Sequence, residues 1–71
     1  MRRAPIDSTS LKSVGYEAAT RTLEVEFRSG RVYRYFGVPP RRYRALLDAE
    51  SAGRFLNREI KGVYRYAPVQ R

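Results

Sequence analysis

The 71-residue sequence contains neither cysteine nor histidine. The first absence removes disulfides and thiolate metal sites, and the second removes the commonest zinc ligand and general base. No cofactor or metal is therefore expected. The sequence has room for one domain only, and a chain this short buries roughly 60% of the surface its unfolded form exposes, so one thin core must hold it. Long apolar runs are missing too, with nothing near the roughly 18 residues of a membrane span. Met1-Arg2-Arg3 leads into Ala4-Pro5-Ile6-Asp7-Ser8 rather than the apolar stretch of a secretory signal. A cytoplasmic protein with no membrane partner is the expectation. Acidic residues are scarce, 7 against 15 lysines and arginines, for a formal net charge of +8.

Thirteen of the cations are arginine. Arginine codons favoured by a GC-rich genome would account for that bias with a merely solvated surface. The guanidinium is also the side chain best suited to gripping phosphates and stacking on bases.

Residues 1–9 show no periodicity and read as a flexible arm. Leu11 to Tyr16 carries a weak strand signal, and 17–21 a connecting turn. Leu23-Glu24-Val25-Glu26-Phe27 alternates without a break, the pattern of a strand with one buried face, and Arg31 to Phe36 resumes with aromatic and β-branched residues. Between them a three-residue turn, Arg28-Ser29-Gly30, needs a left-handed backbone only at glycine, whereas a two-residue turn would force it on Ser29. The three-residue turn pairs Phe27 with Arg31, Val25 with Tyr33 and Leu23 with Tyr35, and sets Glu24 opposite Arg34. Val38-Pro39-Pro40 ends the strand. Tyr43, Leu46 and Leu47 then mark an amphipathic helix over 40–50, and Ser51 caps a second helix whose apolar side is Phe55, Leu56 and Ile60, stopped by Lys61-Gly62. Val63-Tyr64-Arg65-Tyr66 alternates and suits a short extra strand, with order ending at Ala67-Pro68. The predicted architecture is α+β, a three-stranded antiparallel meander packed against a C-terminal helical hairpin.

Val14-Gly15-Tyr16, the Leu23-x-Val25-x-Phe27-x-x-Gly30 hairpin, Tyr33-Arg34-Tyr35, Val38-Pro39 and Ser51-Ala52-Gly53-Arg54-Phe55-Leu56-Asn57 with Ile60 together resemble the KTSC domain. That family takes its name from the C-terminus of some lysyl-tRNA synthetases and also occurs as a lone small bacterial protein. The likeness covers 10–66, leaving 1–9 as arm and 67–71 as tail. It implies no activity and no catalytic residue, and it suggests RNA only by association.

Three groups of residues are candidates for function. Arg54, Arg58 and Lys61 fall at i, i+4, i+7 on the second helix with Asn57 beside them, a stripe able to track phosphates. Arg41, Arg42 and Arg44 crowd the start of the first helix, where the dipole repels cations, so an anion held there by arginines and free backbone N–H groups would explain them. Arg34, Phe36, Tyr64 and Tyr66 interleave charge with aromatic rings, the makings of a platform for unpaired bases. On the register of the three-residue turn Tyr33 and Tyr35 read first as core aromatics with their hydroxyls reaching the sheet edge, and a ligand-facing role is the alternative. Glu24 and Glu26 share a strand face but have Arg28 and Arg34 to neutralise them, which argues against a catalytic carboxylate pair.

These features point to a non-enzymatic, basic nucleic-acid-binding module, with RNA or single strands favoured. A module docking an acidic protein partner is the first alternative, and a small histidine-free ribonuclease the second. The oligomeric state is left open.

Overall fold

The strictly alternating segment at 23–27 becomes the centre of a five-stranded antiparallel sheet. The computed structural model describes residues 3–69. Its strands are β1 (Ala4–Pro5), β2 (Leu11–Glu17), β3 (Thr22–Phe27), β4 (Val32–Tyr35) and β5 (Tyr66–Pro68), and they lie in chain order across the sheet. Between β4 and β5 come α1 (Pro40–Asp48) and α2 (Ala52–Phe55), the latter running on as one π-helical turn, Leu56–Ile60. No helix of the described residues is long and apolar enough to cross a membrane.

The three-residue turn is present. Phe27 N–H donates to the Arg31 carbonyl and Gly30 N–H to the Phe27 carbonyl, both at 2.9 Å, with Gly30 at φ 95°. The resulting register is the expected one, Leu23 with Tyr35, Glu24 with Arg34 and Val25 with Tyr33. Both helices cover the same sheet face, enclosing a core of Leu11, Val14, Leu23, Val25 and Tyr35 from the strands and Leu46, Phe55, Leu56 and Ile60 from the helices. Gly53 of α2 packs against Ser10 just before β2, where an added Cβ would lie 3.0 Å from Ser10 Oγ. Ser51 Oγ accepts from Arg54 N–H at 3.4 Å and caps α2.

The π-turn explains the odd spacing of Phe55, Leu56 and Ile60. In a regular α-helix, positions 55 and 60 lie well apart around the axis; widening the turn, with Lys61 N–H donating to the Leu56 carbonyl at 2.7 Å, brings all three inward. The helix then ends at Lys61 in an extended conformation, followed by left-handed Gly62.

The sheet has two strands more than the predicted meander. The segment read as a loose arm contributes β1, which pairs Ala4 with Val14 and Pro5 with Ser13. At the other end the extra strand lies later than expected: Tyr64 tucks against the core, and the chain reaches β4 only at Tyr66, pairing with Tyr35. The first helix also stops at Asp48, two residues short of the expected end.

On the sheet face away from the helices, Glu24 is only 5% exposed. Arg3 Nη1 donates to its Oε2 and Arg34 Nε to its Oε1, each at 2.8 Å. Ser13 donates to Glu26 Oε1 at 2.8 Å, and Arg3 Nη2 stands 3.8 Å from that same oxygen. Arg28, expected to help neutralise these carboxylates, turns instead to the Ser8 carbonyl at 2.8 Å. Its place is taken by Arg3, which β1 delivers to this face.

Each outer strand carries a proline. At β5, Phe36 N–H donates to Arg65 O and Val69 N–H to Val32 O, so by antiparallel alternation Tyr66 and Pro68 turn their backbone groups outward. Proline has no donor. Tyr66 alone of the β5 residues presents an N–H at that edge.

Two tyrosines fasten the layers. The Tyr16 hydroxyl donates to the Val38 carbonyl, and its ring stacks on Tyr43 of α1 at 4.8 Å and 10°. Burial pushes the pKa of Tyr35 above its ordinary 10.0, with Tyr33 and Tyr66 adding to the rise. A tyrosine raised in the folded state keeps its full stabilising contribution below the unfolded value and loses it as pH climbs through the folded one. The melting temperature should therefore fall steeply above about pH 10, and Tyr35→Phe should flatten that fall. A thermal melt series from pH 8 to 11 on both proteins checks this.

Candidate nucleic-acid interface

The helices do not cover the whole of the apolar sheet face. Past their ends, along β4 and β5, lies a row of rings: Phe27 to Tyr33 at 5.8 Å and 78°, Tyr33 to Tyr66 at 5.7 Å and 71°, Tyr66 to Tyr35 at 5.9 Å and 37°. Tyr35 is core. Tyr33 and Phe27 are half-buried, and Tyr66 is 60% exposed. The two central tyrosines thus divide, one closing the core and the other standing at its margin.

Two hollows flank this row. One is lined by Ser10, Phe27, Ser29, Arg31, Tyr33 and Lys61 and measures 290 Å³; the other, of 340 Å³, is lined by Gly30, Arg31, Val32, Tyr33, Pro68 and Val69. Tyr33 and Arg31 belong to both and form the wall between them. Arg31 and Lys61 are exposed, and among the described residues neither has an acidic partner.

The cation stripe expected on the second helix is split. The π-turn winds the helix wider than the i, i+4, i+7 spacing assumes, and the extended backbone at Lys61 carries that side chain to the hollow beside Phe27 and Tyr33. Arg54 and Arg58 remain together but line a groove with Asp48 and Glu50, and Arg58 pairs with Glu59 at 3.1 Å. Asn57 is exposed beside them.

The start of α1 offers less than its arginines suggested. Arg42 is committed to Glu59 at 2.9 Å, with its Nε buried and unpartnered. Pro39 and Pro40 have no N–H, and the N–H groups of Arg42 and Tyr43 bond to the Pro39 carbonyl, which leaves Arg41 with the single free donor. Arg41 and Arg44 are exposed and unpaired among the described residues, without the backbone cradle expected around them.

Of the interleaved aromatics, Tyr66 joins the row, Tyr64 packs against the core, and Phe36 is 40% exposed at the end of β4. Arg34 is held by Glu24. Phe27 and Arg31 were not singled out from the sequence as binding residues, and Tyr33 was read there first as core. The register that aligns them was readable there, but how far the helices reach over the sheet was not.

The model of the KTSC domain matches residues 7–69. The chain belongs to the KTSC domain family. Its fold agrees with the crystal structure of a KTSC domain protein from Yersinia pestis, at a TM-score of 0.94 and 36% identity over 97% of each chain. This KTSC domain is 49% identical over 67 residues to an uncharacterized protein of Stutzerimonas stutzeri, covering 93% of this chain and 94% of that one. It is also 42% identical over 60 residues to a lysine–tRNA ligase of Nostoc punctiforme, where 84% of this chain aligns with 11% of the ligase. The same domain thus occurs both alone and as a small part of a tRNA-charging enzyme.

Proposed function

We propose that this KTSC domain binds unpaired nucleic acid, RNA above all, by holding phosphates with arginine and lysine and bases with aromatic rings, and that it acts by binding rather than turnover. The observation that carries this reading is the partly exposed row Phe27, Tyr33, Tyr66 beside Arg31 and Lys61, two cations with no internal partner in a chain of net charge +8. Rings beside cations fit a single strand, since every base has a face to stack and every linkage a charge to neutralise. The similarity to part of a lysine–tRNA ligase adds support for RNA as the partner.

Fluorescence anisotropy with labelled single-stranded RNA, single-stranded DNA and duplex DNA over a salt series tests this. Micromolar binding to single strands is expected, with a salt dependence equivalent to about 3 to 6 phosphate contacts. The Arg31→Ala/Lys61→Ala double variant should weaken binding and lower the slope of log K on log salt by about 1.4, two contacts at about 0.7 each. Arg54→Ala/Arg58→Ala, on the groove shared with Asp48 and Glu50, should change it less. Absence of binding near physiological salt would overturn the reading and direct attention to an acidic protein partner.

A further inference from the structure

Tyr33 and Arg31 stand between the two hollows, Phe27 and Lys61 close one, and Pro68 and Val69 close the other. The rings along the row meet nearly at right angles, 78° between Phe27 and Tyr33 and 71° between Tyr33 and Tyr66. Successive bases in a duplex or a stacked single helix lie parallel. A strand that keeps such stacking can lay one base on one ring but cannot follow faces that turn by this much from ring to ring.

We infer that, within the nucleic-acid reading above, on which this rests, the site takes two successive bases splayed apart on either side of Tyr33. Arg31, common to both hollows, lies where the phosphate linking those bases would pass, and Lys61 meets the strand on the Phe27 side. Ser10 and Ser29 line the first hollow, while the second is lined mainly by apolar side chains and backbone. The serines and cations around the first hollow can bond the edge of any base and the second hollow offers few polar groups, so base identity is read weakly through hydrogen bonds. Selection then comes from the strand itself: a base seated here gives up its stacking on the neighbour across Tyr33. Strands that stack strongly on themselves, such as adenine runs, lose more than flexible pyrimidine runs, and the larger purine face regains little when only part of each ring is exposed. The preferred ligand is an unstacked, uridine-rich single strand.

Anisotropy titrations of the full chain with labelled eight-nucleotide oligo-U and oligo-A, at one fixed salt concentration, test this. Oligo-U should bind about five times more tightly than oligo-A. Tyr33→Leu, which keeps an apolar side chain against Phe27 but removes the stacking ring, should weaken oligo-U about tenfold and abolish the preference, with a single cooperative melt well above the assay temperature showing that the fold is kept. Tyr33→Phe, retaining the ring, should preserve both affinity and preference. If oligo-A binds as tightly as oligo-U while Arg31→Ala/Lys61→Ala weakens both, the splayed site is wrong and the nucleic-acid reading stands. If neither oligonucleotide binds, both fall together.

Discussion

Leu46→Ala is expected to remove about 3 kcal/mol of folding stability, the largest effect of any substitution in α1. Leu46 is the one fully buried residue of that helix; Tyr43, Ala45 and Ala49 pack only partly against the core. The helix begins on Pro39 with no side-chain cap, has no acidic residue in its first turn and no basic one in its last. Its attachment therefore depends on tertiary packing, and nine residues form little helix in isolation. At about 0.05–0.15 kcal/mol per residue, a chain of this size has roughly 4–10 kcal/mol in total. Losing 3 of these brings the domain near its limit. With a urea m-value of about 1 kcal/mol/M, the unfolding midpoint should fall by about 3 M, whereas Leu47→Ala, at a neighbouring position 46% exposed, should change stability by less than about 0.5 kcal/mol. Similar shifts for the two would show that α1 contributes little to the cooperative fold.

The second large effect concerns Glu24. Replacing it with alanine leaves Arg34 without its carboxylate and Arg3 with only Glu26, 3.8 Å away. Removing one member of a largely buried ionic group costs more than the group itself contributes, because the remaining charges stay desolvated. Arg3 and Arg34 are 21% and 45% exposed at their side chains, and water relieves part of that cost. Glu24→Ala should therefore destabilise by about 2 kcal/mol, below the 3–5 typical of fully buried pairs. Arg3→Ala should cost about 1 kcal/mol, since Glu24 keeps Arg34 and a single part-exposed charged hydrogen bond is lost. Chemical denaturation of both single variants and the double variant measures this directly, with the double variant less unstable than the sum of the two. Negligible losses for both Glu24→Ala and Arg3→Ala would mean that the network carries no energy.

How far the sequence disclosed this fold depended on how local each signal was. The β3–β4 register was readable because one glycine and one turn length decide it, and nothing distant competes. The cap at Ser51 and the left-handed stop at Gly62 were readable for the same reason. Strand β1 was not, because two residues that include a proline carry no periodicity, and their pairing depends on Arg3 reaching Glu24 from twenty-one positions away. The π-turn was hidden in plain view: Phe55, Leu56 and Ile60 were recognised as one apolar face, yet their spacing fits that face only if the helix widens. Missing it misplaced Lys61, and with it the line of cations. At α1 the arginines were visible, but the pairing of Arg42 with Glu59 and the prolines' lack of donors changed what they can hold. At the aromatic row the rings were visible, while which of them remain uncovered depended on where two helices end.

The prolines on the two outer strands reach beyond the isolated fold. A sheet rich in valine and tyrosine is a ready template for growth when its margins offer unpaired donors and acceptors in sequence. Here one margin ends in a two-residue strand containing Pro5 and the other in a three-residue strand containing Pro68, so a further strand finds an interrupted ladder on either side. A strand added at either margin would therefore meet fewer backbone donors than an uninterrupted edge offers, which disfavours growth of the sheet into fibres.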